Sequence, residues 1–166
     1  MTTKSEFNAD EWERVAQAPA LAALAVIVAD RGGVIRESIA LGKVYAEARS
    51  QGGSELIQAL VESPPRLNPS EMGPADQIRT QLPERVEEAL RTVESKATPE
   101  ETQEYRDFIL RVADVVAHAA KEGGVLGIGG KEISDEEQAA LDELTNLLGT
   151  AGATLDPEAA EERGDE

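Results

Sequence analysis

Thr98-Pro99-Glu100-Glu101-Thr102-Gln103-Glu104-Tyr105-Arg106-Asp107-Phe108-Ile109-Leu110-Arg111-Val112-Ala113-Asp114-Val115-Val116-Ala117-His118-Ala119 is the stretch on which the fold class turns. It opens with a helix-start signal: Thr98 as cap, Pro99 at the first helical position, and Glu101 at the third, able to reach back to the Thr98 amide. From there Tyr105, Phe108, Ile109, Val112, Val115, Val116 and Ala119 recur at spacings of three and four, the stripe of a helix with one buried face. Gly123-Gly124 is the expected stop.

The same grammar extends in both directions. Upstream, Asn8-Ala9-Asp10-Glu11 reads as a capping box for a short helix reaching about Gln17. Pro19 then fits the first position of a second helix, in which Leu21 to Ala29 is apolar on every side and therefore central. After Gly32-Gly33, a third helix is expected to turn Ile35, Ile39, Gly42, Tyr45 and Ala46 inward, with Gly42 at a close helix crossing. Leu56, Ile57, Leu60 and Val61 make a short amphipathic helix between Gly52-Gly53-Ser54 and Pro64-Pro65.

Residues 63–74 hold four prolines and a glycine and read as a loop between two halves. Beyond it, Ile78, Leu82, Val86, Ala89, Leu90 and Val93 keep a helical period through Pro83, which either starts a helix or kinks a longer one. Downstream, Ser134-Asp135-Glu136-Glu137 caps a last helix with Ala140, Leu141, Leu144, Leu147 and Leu148 inside. Residues 151–166 are read as an acidic tail with too little apolar surface to order itself. No segment alternates with period two. The expectation is all-α: one domain over residues 1–150, a bundle of six to seven helices.

Composition narrows the function classes. The 166 residues carry 33 Asp and Glu against 16 Lys and Arg, a net charge of −17. Nucleic acid is an unfavourable partner, because its affinity comes from cations that displace condensed counterions. Basic proteins or metal cations suit such a surface. There is no Cys, so thiolate metal sites and thiol nucleophiles are excluded. The polar stretch from Met1 to Asp10 does not read as a signal peptide, and Ala18 to Ala29 is too short for the roughly 20 residues of a membrane span. We therefore expect a cytoplasmic location.

Gly123 to Lys131 invites comparison with a phosphate-binding loop. Val125 stands where a Gly is needed, Glu132 follows Lys131 in place of Ser or Thr, and a helix precedes it in place of a strand. The segment reads instead as a helix connection, with Val125, Leu126 and Ile128 either tucked against the core or presented as a partner-docking loop. His118, the sole histidine, sits one turn after Asp114 and reads as a solvated side chain beside a carboxylate. Carboxylates are the chemically capable groups present in number. Asp135 and Glu137 suit a helix N-terminus for electrostatic reasons, or, with Asp30 and Glu37, could hold a divalent cation through oxygen.

Val28 to Ile35 and Ala119 to Leu126 both run from an apolar helix into Gly-Gly-Val and an aliphatic residue, as two helix–loop–helix pseudo-repeats would. At these positions the chain resembles the TerB-like group of tellurite-resistance proteins. Ala29-Asp30 leads to Glu37, and Ile133-Ser134 leads to Glu137. The resemblance implies a stress-related helical scaffold with Asp30, Glu37, Asp135 and Glu137 around a divalent metal. The sequence departs from the pattern at Arg31 and Lys121. The functional expectation is a non-enzymatic interaction or scaffold protein, acting through a protein partner or self-association. The alternative is a module holding a small apolar ligand between the Leu21–Ala29 helix and the Tyr105–Val116 face.

Overall fold

The computed structural model describes residues 1–29, 34–62, 64–65, 75–121 and 135–150, and only the backbone of 28–29, 34–39, 75–79, 120–121 and 150. Six α-helices and one short 3-10 turn, Lys4–Glu6, account for the regular structure among these residues, with no strand. The helices are α1 (Ala9–Ala29), α2 (Val34–Gln51), α3 (Glu55–Glu62), α4 (Ala75–Glu94), α5 (Pro99–Lys121) and α6 (Asp135–Thr150). The fold is an all-α bundle.

Helix α1 is its axis, packed chiefly between α4 and α5, with α6 laid across it. Its second half explains that position. Ala18, Leu21, Ala22, Ala23, Leu24 and Val26 are all buried, so this helix needs neighbours on several sides. Helix α2 packs on α5, and α3 folds back against α2. One contiguous core results, running from Phe7 to Leu148 and drawing on every helix. It is aliphatic and Ala-rich, as expected of a chain with so few aromatic residues. The Tyr45 ring meets Phe108 edge-on at 5.3 Å between centroids.

Two of the three expected capping boxes form, and the cap of the third, Ser134, lies outside the described residues. The Asn8 amide donates to Glu11 Oε2 at 2.8 Å, and the Glu11 amide donates to Asn8 Oδ1 at 2.9 Å. At α5 the Thr98 amide donates to Glu101 Oε2 at 3.1 Å, and the Glu101 amide to Thr98 Oγ1 at 3.3 Å. The inward stripes of α3 and α5 follow the sequence pattern, as does the α4 stripe from Leu82 onward. In α6, Leu141, Leu144 and Leu148 are buried and Ala140 and Leu147 packed against them.

Two local expectations are corrected. Pro19 does not begin a helix; it lies in the middle of α1, which runs unbroken from Ala9. An interior proline ordinarily costs about 3 kcal/mol, partly because the carbonyl four residues back loses its donor. Here Tyr105, buried on α5, donates its hydroxyl to the carbonyl of Val15 at 2.8 Å and replaces that donor. On α2 the inward face is Ala40, Val44, Tyr45 and Ala48, leaving Ala46 exposed. Gly42 is exposed too, and a Cβ built on it would meet nothing within 4 Å, so no close crossing occurs there. Pro83 takes the second of its two expected roles, lying inside a longer helix.

Candidate functional site

The first half of α1 differs from the second. Asp10, Glu13, Arg14 and Gln17 fall at helical spacing along one polar stripe that ends on the buried Leu21. Helix α4 supplies Arg85 and Glu88 alongside, and between the two helices lies an open groove of about 460 Å³. Its floor is Leu21 and its walls carry both signs of charge. The Gln17 side-chain amide donates to Glu13 Oε1 at 3.0 Å, which holds this carboxylate along the helix.

The two arginines distinguish the groove. Other arginines with described side chains are engaged. Arg49 donates to the carbonyls of Val61 and Glu62 at the end of α3, Arg91 to Glu87, Arg106 to Glu94, and Arg111 to Gln51 and Glu47. Arg14 and Arg85 are exposed and make no hydrogen bond or ion pair among the described residues, although carboxylates outnumber cations two to one. Arg14 acts on Glu11 only through its field. A guanidinium keeps its charge at any physiological pH and offers a rigid fork of donors. Two such forks in one open groove can grip an acceptor group; they cannot shuttle a proton.

A second cluster is structural. Glu101 is buried at 7% exposure and, besides closing its own helix cap, accepts from the Thr2 amide at 2.7 Å and the Thr2 hydroxyl at 2.9 Å. Burial raises its carboxyl, but the amide donors Thr2 and Thr98 and the Thr2 hydroxyl outweigh this and hold it below the ordinary value of 4.5. Beside it, Lys96 pairs with Glu11 Oε2 at 3.1 Å, donates to the Glu6 carbonyl at 3.0 Å and lies over the Phe7 ring. These contacts tie residues 2–12 to the α4–α5 corner.

The residues expected to bind metal are not gathered by the described structure. Asp135 is exposed at the start of α6, whereas Glu137, two residues on, is buried at 5% exposure. Side chains two apart on a helix diverge, so this pair does not converge on one point. The side chain of Glu37 and all of Asp30 lie outside the described residues, as do the loop residues Val125, Leu126 and Ile128, residues 151–166 and most of 63–74. Among the described residues no group of three or more His, Asp or Glu is placed to hold a metal ion. His118 is exposed, its Nδ1 2.8 Å from the Asp114 carbonyl and 3.4 Å from the Asp114 carboxylate, as its spacing suggested.

A second hollow, of about 60 Å³, sits where α6 crosses α1 and α4, beside Ala25, Pro83 and Leu144. Neither hollow lies between α1 and the Tyr105–Val116 face. No helix among the described residues is long and apolar enough to cross a membrane. In the sequence Arg14 and Arg85 register only within the total charge. The available signal was the stripe Asp10, Glu13, Arg14, Gln17, polar at helical spacing just before an apolar helix.

Comparison with protein-family models, with curated proteins and with solved structures found no match to the chain.

Proposed function

We propose that the protein is a non-enzymatic helical interaction protein that holds a polypeptide partner on the α1/α4 face. The observation behind this is the pair Arg14 and Arg85, exposed, without bonded partners among the described residues, and lining one groove. Arginine is over-represented among the residues that dominate protein interfaces, because its stem packs while its fork bonds. An open groove with charges of both signs along its walls suits another chain's side chains better than an enclosed small molecule.

The experiment is photo-cross-linking in the native host from Gln17, inside the groove, and from the exposed Ala46 on α2. A defined protein adduct from Gln17, absent from Ala46 and weakened in Arg14→Ala/Arg85→Ala at unchanged melting temperature, supports the reading. Equal adducts from both positions, or an adduct indifferent to the double substitution, refute it.

A further inference from the structure

The charges around the groove specify more than a generic partner, and we infer that its occupant is a basic polypeptide segment with an embedded carboxylate. This rests on the reading of the α1/α4 face as a docking surface.

At long range, a molecule of charge −17 draws cationic chains toward itself and repels acidic ones. At contact range, Asp10, Glu13 and Glu88 line the groove and take lysine or arginine side chains. A wholly basic segment would nevertheless bring its cations against Arg14 and Arg85 and leave both forks without an acceptor. A wholly acidic segment would satisfy the forks but meet three carboxylates and the field of the whole molecule. The sequence that satisfies every wall is basic with an acceptor inside it, and a carboxylate is the acceptor whose planar geometry a guanidinium matches bidentately.

Spacing supports a helical or extended occupant lying along α1. Asp10, Glu13, Arg14 and Gln17 occupy positions i, i+3, i+4 and i+7, so acidic, cationic and neutral groups succeed one another along a single stripe. A partner laid on that stripe meets an acidic end first and a guanidinium one turn later. Arg85, with Glu88, lines the same groove from α4, so the occupant meets a guanidinium and a carboxylate from each helix.

The test uses three capped synthetic peptides of equal length: lysines flanking one central glutamate, the same peptide with glutamine at the centre, and its charge-reversed counterpart. Binding to the full chain is read by amide chemical shifts. The glutamate peptide should shift resonances of α1 and α4, bind about tenfold more tightly than the glutamine peptide, and outcompete the charge-reversed one. In Arg14→Ala/Arg85→Ala, which leaves the carboxylates in place, the preference for glutamate should vanish while lysine-dependent binding persists. Equal binding of the glutamate and glutamine peptides to the wild-type chain overturns the inference, as does a preference that survives the double substitution. Failure of the peptides with a positive Gln17 cross-link would refute only the occupant's class; failure of the cross-link refutes the docking surface itself.

Discussion

The hydroxyl of Tyr105 on α5 donates to the carbonyl of Val15 on α1 at 2.8 Å, and that carbonyl is the one Pro19 leaves without its intrahelical donor. Both residues are fully buried. An aromatic side chain thus repairs a helix break from outside the helix, and the repair is what allows α1 to span the bundle.

Tyr105→Phe should destabilise the protein by about 1–3 kcal/mol, because it strands a buried carbonyl. Pro19→Ala restores an amide donor to the same carbonyl. In the combined variant the Tyr105→Phe cost should shrink by about 1 kcal/mol or more, measured as a double-mutant cycle of urea unfolding. Additive effects would show that the hydroxyl and the proline act independently.

Tyr45→Phe should behave in the opposite way. The Tyr45 hydroxyl is buried with no hydrogen-bond partner among the described residues, and burial pushes its ionisation far above the ordinary 10.0. Removing it discards an unsatisfied polar group while keeping the ring against Phe108, so stability should stay level or rise by about 1 kcal/mol. A loss like that of Tyr105→Phe would mean the hydroxyl has an acceptor.

Glu101 sets an acid limit on the N-terminal corner. Its folded-state pKa lies below 4.5, so its contribution is fully present above the unfolded value and is lost as pH falls through the folded one. Glu101→Gln should flatten the acid limb of the stability–pH curve and leave the neutral-to-basic limb unchanged in shape. Glu101→Ala, which also strips the α5 cap and the Thr2 contacts, should cost about 2 kcal/mol near neutrality. Parallel acid limbs for wild type and Glu101→Gln would contradict this assignment.

Gly53 has φ +150°, and a Cβ there would lie 2.6 Å from Glu104 Oε1. Both oxygens of that carboxylate accept from the Ser54 amide at 3.1 Å, just ahead of α3. Gly53→Ala should therefore cost about 1–3 kcal/mol, combining backbone strain with a displaced Glu104. In a Glu104→Ala background the same substitution should cost less, since only the strain remains. Thermal unfolding of the four proteins decides it.

Calcium provides a separate check on the carboxylates of α6. Because Asp135 faces solvent and Glu137 is buried, Asp135→Asn should leave the calcium dependence of the melting temperature unchanged. A metal bound by Asp30, Glu37, Asp135 and Glu137 together would instead raise the melting temperature saturably and lose that rise in Asp135→Asn.

Where each stripe carries large aliphatic residues at unambiguous spacing, the sequence and the structure coincide: α3, α5 and the Leu82–Val93 face of α4 need nothing beyond periodicity. On α2 the pattern misled. Ala40, Ala46 and Ala48 are indistinguishable by hydropathy, and only the position of Phe108 and its neighbours selects Val44, Tyr45 and Ala48 as the inner face. The groove was illegible for a different reason. Arg14 and Arg85 are 71 residues apart, and an unmatched charge is a property of its surroundings, which one-dimensional spacing does not contain.

Helix class, caps and most of the inward faces are thus local consequences of side-chain chemistry, since a capping box closes over three residues and an amphipathic stripe repeats within two turns. The unbroken course of α1 through Pro19, the burial of Glu101 under Thr2 and the sharing of one groove by Arg14 and Arg85 all required packing. Each depends on a partner supplied from another helix or from a distant part of the chain. A hydrogen bond or a groove exists only once those pieces have been brought within a few ångströms of one another.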